Sequence, residues 1–320
     1  MIVNYIKLIR IPNLIFIAGV QLLMHFCIVT PILNTYGIPP SMSLFQLTLL
    51  IIATVFIAAG GYVINDYFDI RIDEINKPDS RIVGQSVTRQ QAMFFYQILS
   101  GIGVAAGLLL SYYAESLTYA FIFLMTLGLL WFYSSSYKRQ LVVGNSIVSL
   151  VAAMVPFIVA LFENRFLLLQ YGPSEELILV SNTIMGWLGG FALFAFLWTF
   201  IREVIKDIED EEGDREMESH TFPVVLGIAK TRALLYALIV VTLGIGAYMI
   251  FSVIPLHLEG SLSWRYFLSG IVIPAIVLIY LIYKAQEKED YHQAAHVAKA
   301  IMVIGTLYSL VVWYLMRMAL

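Results

Sequence analysis

Runs of about 20 mostly apolar residues, the length a helix needs to cross a bilayer, recur along the chain. They fall at 12–30, 44–64, 91–111, 117–133, 141–162, 183–201, 233–254, 266–283 and 298–316. The pattern predicts an all-α fold, a polytopic membrane bundle of nine transmembrane helices around a central cavity. No Pro/Ser-rich or low-complexity linker divides it, so residues 1–320 are expected to form a single domain. The connections are of two kinds. Those at 31–43, 112–116, 163–182 and 255–265 are short or bland, whereas 65–90, 134–140, 202–232 and 284–297 are rich in charge. With nine spans, the charged connections and the N-terminus share one side. Of the 19 Lys and Arg residues, all but Arg165, Arg265 and Arg317 fall on that side. The positive-inside rule then predicts that it faces the cytoplasm.

Composition agrees. Apolar residues make up 60% and charged residues 13%, and mean hydropathy is +0.83; soluble chains are nearer one quarter charged. The partner implied for much of the surface is the lipid bilayer. A net charge of −3 argues against nucleic acid. The single cysteine, Cys27, lies in an apolar run, so no intramolecular disulfide and no Cys/His metal spacing is available. Lys7 and Arg10 precede the first apolar run without a small-residue cleavage site, which reads as an uncleaved first helix.

Two of the charged connections carry candidate chemistry. The second apolar run leads into Asn65-Asp66-Tyr67-Phe68-Asp69-Ile70-Arg71-Ile72-Asp73. At about 100° per residue, Asn65, Asp69 and Asp73 form one stripe, with Asp66 at its edge. Such a group of oxygen ligands repels itself unless a hard cation such as Mg²⁺ joins it. The plainer alternative is a solvated loop neutralised by Arg71, Glu74 and Lys77. The sixth run leads into a second segment, where continued helix puts Glu203, Asp207, Asp210, Glu211 and Asp214 within one arc. Gly213 is expected to loosen that helix, and Glu209, Glu212, Glu216 and Glu218 read as plain surface charges. Two carboxylate stripes across a cavity suit a diphosphate, which reaches carboxylates only through bridging Mg²⁺.

Polar helpers are expected around them. Lys138 and Arg139, after Tyr133-Ser134-Ser135-Ser136-Tyr137, could bind phosphate oxygens or serve only as topological anchors. The same holds for Arg10, Lys77 and Arg81. Asn13 and Asn145 are polar groups inside apolar runs that need partners, and His25 reads as a packing residue.

These residues resemble the UbiA family of intramembrane prenyltransferases. The match rests on Asn65-Asp66-x-x-Asp69-x-x-x-Asp73, Tyr133-Ser134 with Lys138-Arg139, Asp207-x-x-Asp210-x-x-x-Asp214, Arg10-Ile11-Pro12-Asn13, and Thr221-Phe222-Pro223 with Gly227. The resemblance implies Mg²⁺-dependent transfer of a polyprenyl group from a prenyl diphosphate to a lipophilic acceptor. It implies that Asn65, Asp66, Asp69 and Asp73 hold Mg²⁺ and diphosphate, and that Asp207, Asp210 and Asp214 hold a second ion or orient the acceptor. Asp66, Asp69, Asp207 and Asp210 are thus the expected catalytic residues. Asn65, Lys138, Arg81, Asn13, Tyr133 and Arg10 are the expected substrate contacts. Ser80-Arg81-Ile82-Val83-Gly84 departs from the family's Arg-Pro-x-Pro-x-Gly stretch. The run from Arg202 to Asp214 is most similar to the branch that prenylates glycerol-phosphate lipids, the digeranylgeranylglyceryl phosphate synthases, with geranylgeranylglycerol phosphate as acceptor. An aromatic acceptor, a quinone precursor or a tetrapyrrole, is the alternative within the family. A membrane cation or metabolite transporter without chemistry is the alternative outside it; there the charges are expected near the midplane.

Overall fold

The computed structural model describes residues 2–76, 81–253 and 260–319. Among these, nine helices are long and apolar enough to cross a membrane: Ile11–Thr35, Leu44–Phe68, Arg89–Tyr113, Leu117–Ser135, Val143–Tyr171, Glu175–Glu209, Ile228–Phe251, Leu262–Lys284 and Lys288–Met318. All nine sequence-predicted runs are present, and most extend beyond the apolar stretch because helical hydrogen bonding continues past the hydrocarbon boundary. The sixth span is the extreme case, with 35 residues. Lys77 lies outside the described residues.

Local sequence explains where several helices begin. Ser43 and Gln46 form a reciprocal capping box, as do Thr88 and Gln91, and the Ser174 hydroxyl accepts the Leu177 N–H. Pro31 and Pro274 lack an N–H, and each follows a widened turn, Met24–Val29 and Leu268–Val272, that keeps the helix running past the missing bond.

The bland connection expected over 163–182 is mostly helix. The fifth span reaches Tyr171 and the sixth starts at Glu175. Glu163 is therefore inside the bundle and fully buried. Its Oε1 accepts the backbone N–H of Ser41 (2.6 Å) and of Met42 (3.3 Å), anchoring the connection between the first two spans. His25, expected as a packing residue, is buried with Nδ1 3.7 Å from the Glu163 carboxylate.

The spans divide into those that line a cavity and those that brace them. Spans one, two, four, five, six and nine contribute every wall of a cavity of ≈ 310 Å³. Span three packs behind span two, and spans seven and eight pack against six and nine. The charged connections carry short helices at the cavity mouth, Ile70–Asn76, Tyr137–Arg139, Glu211–Glu216 and Phe222–Leu226. Close approach of spans two and three depends on Gly103. A Cβ there would lie 2.8 Å from Ile57 Cγ1 and 2.9 Å from the Ile57 backbone nitrogen. Small residues let helices in lipid gain dispersion contact through their backbones.

Gly103→Leu should therefore lower the thermal midpoint of the detergent-solubilised protein, since overpacking of this kind costs about 1–3 kcal/mol. Gly101→Leu, whose Cβ would meet nothing within 4 Å, should melt like wild type. Equal midpoints for the two variants would contradict the packing assigned to Gly103.

Candidate functional site at the cavity mouth

The two acidic segments use the same backbone device. The second span ends at Phe68, Asp69 leaves helical geometry (φ −87°, ψ 1°), and a short helix resumes at Ile70. Asp69 itself stays bonded on both sides of the break, its N–H to the Asn65 carbonyl (3.0 Å) and its carbonyl to the Asp73 N–H (2.8 Å). The sixth span ends at Glu209, Asp210 leaves helical geometry (φ −100°, ψ 10°), and helix resumes at Glu211. Again Asp210 N–H reaches the Lys206 carbonyl (2.9 Å) and Asp214 N–H the Asp210 carbonyl (3.1 Å). Gly213 does not loosen the helix as expected. The bend comes three residues earlier, at Asp210, and Gly213 is buried inside the short helix. Each segment is therefore two helices hinged at an aspartate, not the single continued helix expected.

The two short helices pack against each other and bring the segments together. Asp69, Asp207 and Glu203 all act on the Tyr133 phenol, and Asp69 and Asp210 both act on Asp214.

Most of the carboxylates have a partner from another element, and Glu203 is met from its own helix. Asp66 Oδ1 accepts from Arg10 Nη2 at 2.9 Å, and the Arg10 guanidinium also covers the Tyr62 ring at 4.9 Å. Arg10 holds this pose from a left-handed backbone (φ 54°), a conformation that strains a residue with a side chain. Asp69 is nearly buried. Its Oδ2 accepts from Asn65 Nδ2 at 2.8 Å and its Oδ1 pairs with Lys138 Nζ. Asp207 Oδ2 accepts from Asn145 Nδ2 at 2.8 Å, which supplies the partner Asn145 required. Glu203 is held by Arg202 (2.7 Å) and Lys206 (3.5 Å), and Asp210 lies 3.7 Å from Lys288. Asp214, outside the spans, is buried beside Thr221. Burial pushes its carboxyl up to about 6, against the opposing pull of the neighbouring Thr221 hydroxyl and Lys138. A bound cation would reverse that shift.

Other expected contacts divide. Asn13, Tyr133, Arg10 and Asn65 line the cavity. Arg81 turns away from it to Glu74 (2.9 Å) and the Ile70 carbonyl (3.3 Å), and the aspartates of both segments and Lys138 stand outside the cavity lining, above its mouth. Glu209 is not a plain surface charge. It is buried, and His292 Nδ1 lies 2.9 Å from its carboxylate.

Sequence reading gave no role of their own to three residues at the site. Lys299, counted only as a topological charge, lines the cavity and donates to Asn13 Oδ1 at 2.7 Å. Thr221 is buried beside Asp214. Gly144 lets the Tyr137–Arg139 turn close on the fifth span. A Cβ there would lie 2.6 Å from the Lys138 Cα and 2.8 Å from the Tyr137 carbonyl. No spacing rule flags these residues, because each acts on a residue remote in sequence or needs the turn's path to be known.

Among the described residues, no three acidic or histidine side chains gather closely enough to hold an ion by themselves. The donors are nonetheless all hard oxygens with positive side chains beside them. That set fits a cation that takes the rest of its shell from water and a substrate phosphate. Below the mouth the cavity is predominantly apolar, with Phe16, Val20, Met24, Phe123, Val155 and Phe194 among its walls.

Comparison with known proteins places these features. Residues 23–317 match the UbiA prenyltransferase family. A digeranylgeranylglyceryl phosphate synthase of Sulfolobus acidocaldarius is 31% identical over 303 residues, covering 95% of this chain and 94% of that one. A solved digeranylgeranylglyceryl phosphate synthase structure superposes with a TM-score of 0.61 at 23% identity, covering 98% of both chains. A UbiA homologue from Archaeoglobus fulgidus, solved with GPP and Mg²⁺, gives 0.55 at 14% identity, covering 96% of this chain and 99% of that one.

The Lys138–Asp69 pair is 17% and 6% exposed, so removing one partner leaves a nearly buried charge. Lys138→Met should cost about 3–5 kcal/mol, read as a lower thermal midpoint. Adding Asp69→Asn to that variant should recover most of the loss. Additive losses in the double variant would mean that the pair is not coupled.

Proposed function

The chain belongs to the UbiA prenyltransferase family, and from that premise we propose that it is an intramembrane lipid synthase that moves a polyprenyl group from a prenyl diphosphate to the hydroxyl of a glycerol-phosphate lipid, geranylgeranylglycerol phosphate, with Mg²⁺. The observation that carries the reading is the meeting of two acidic segments over the mouth of an apolar cavity. The relative in Sulfolobus acidocaldarius bears the name of this activity over nearly its whole length, and the Archaeoglobus fulgidus homologue binds a prenyl diphosphate with Mg²⁺. Basic residues concentrated at the same end support a cytoplasmic mouth.

Mg²⁺, held by Asn65, Asp66, Asp69 and Asp73 on one side and Asp207, Asp210 and Asp214 on the other, would drain charge from the diphosphate and make it a better leaving group. The chain's own groups do the rest. Asn65 and Asn145 fix the orientations of Asp69 and Asp207. Lys138 stands where it can exchange its carboxylate partner for a phosphate oxygen. Tyr133 and the aromatic walls exclude water from the allylic carbon and present π faces to the positive charge that grows there. The apolar cavity receives the prenyl chain. The allylic C–O bond breaks with its electron pair leaving on the diphosphate. The acceptor hydroxyl oxygen then bonds to the allylic carbon and gives its proton to the departing diphosphate, whose oxygens are then the strongest base in the pocket. Arg81, paired with Glu74, steadies the short helix that carries Asp73.

Purified protein given Mg²⁺, labelled geranylgeranyl diphosphate and geranylgeranylglycerol phosphate should form the diether lipid. Hydroxybenzoate, naphthoate and porphyrin acceptors should give none, and an exclusively aromatic product would replace the proposed acceptor. Asp69→Ala and Asp207→Ala should each lower transfer by roughly 10²-fold or more while keeping the folded elution profile. EDTA should abolish transfer. Full activity in either variant would refute the site.

A further inference from the structure

The mouth has a second chemical character that the acidic segments do not explain. Where spans one, six and nine meet, four cations line the cavity: Arg10, Arg202, Lys206 and Lys299. Two carboxylates pair with them, and a third, Asp207, also feels Lys206. Glu203 takes Arg202 and Lys206, and Asp66 takes Arg10. The group is therefore left with surplus positive charge.

Lys299 concentrates that surplus. It is half-buried, it donates to the neutral amide oxygen of Asn13 at 2.7 Å, and the charges acting on it, Arg202 and Arg10, are both positive. Beside it the Arg202 Nε–H is buried without a hydrogen-bond acceptor. Cations crowded at membrane depth, with a donor unmet, are costly unless an anion completes them. Guanidinium and ammonium groups together suit a phosphate monoester, which accepts several charge-assisted hydrogen bonds. The donor's diphosphate has its own cation, Lys138, which pairs with Asp69 and acts on Asp214.

Resting on the reading that the acceptor is a glycerol-phosphate lipid, we propose that Arg10, Arg202, Lys206 and Lys299 form the subsite for the acceptor's phosphate, apart from the site of the donor's diphosphate. The acceptor's phosphate sits on this wall, and its free hydroxyl, a few bonds away, lies in the same mouth as the allylic carbon. The subsite makes the enzyme selective for phosphorylated acceptors over neutral glycerol ethers.

Steady-state kinetics with geranylgeranyl diphosphate, against geranylgeranylglycerol phosphate or its dephosphorylated alcohol, test this. Wild type should prefer the phosphorylated acceptor. Lys299→Gln and Arg202→Gln should each raise the acceptor KM roughly tenfold or more, the loss of one charge-assisted bond, and shrink that preference, while the donor KM stays put. Lys299→Arg should restore most of the acceptor affinity. A rise in the donor KM instead, or equal wild-type use of both acceptors, would overturn the subsite. A second measurement needs no turnover. Dodecyl phosphate should raise the thermal midpoint of wild type more than dodecanol does, and Lys299→Gln should erase the difference. If that difference is present but no glycerol acceptor is prenylated, the subsite stands and the proposed reaction falls. No difference in wild type overturns the subsite whatever the kinetics.

Discussion

Carboxylates at the edge of a hydrocarbon slab must be neutralised, and the architecture of this protein follows from how that is done. A lone ion there costs several kcal/mol, so Asp66, Asp69, Glu203 and Asp210 are each met by a basic side chain. Three of those cations, Arg10, Lys138 and Lys288, come from other helices. The nine spans bring these partners to one level. A strained backbone at Arg10 and a glycine at position 144 secure two of them.

Neutralisation by side chains also leaves the site adaptable. A carboxylate paired with lysine or arginine can release that partner to an incoming phosphate and accept a divalent cation in its place, keeping the total charge near balance. In the proposed reaction Asn65 and Asn145 would stay with Asp69 and Asp207 through such an exchange, because a neutral amide donates to a carboxylate whatever the charge beside it. The mouth can thus be stable without substrate and still be organised for it. The apolar walls beneath make no such demand. They need only shape and the exclusion of water, and six of the nine spans supply them while three brace from behind.

A break in each acidic helix at an aspartate is a second shared device. It turns the chain at the membrane surface, so the two short helices can pack across the opening. Glu209 and His292 tie the sixth and ninth spans at the same level, and Lys299 reaches the cavity from that ninth span.

The sequence by itself determined the nine spans, the charged side and the position of both acidic segments. Hydrophobic run length and the 100° helical step are local properties that need no knowledge of neighbours. It also pointed to Asn13, Asn145 and Lys138, since a polar group in or at the edge of an apolar helix needs a partner. What it could not supply was the partner. That Asn145 serves Asp207, that Arg81 turns to Glu74, that Glu163 and Glu209 are buried, and that Lys299 meets Asn13 from 286 positions away are facts of helix packing. They depend on which faces of remote helices meet. That order is set by close contacts such as those of Gly103 and Gly144, and no pattern within a single segment encodes it.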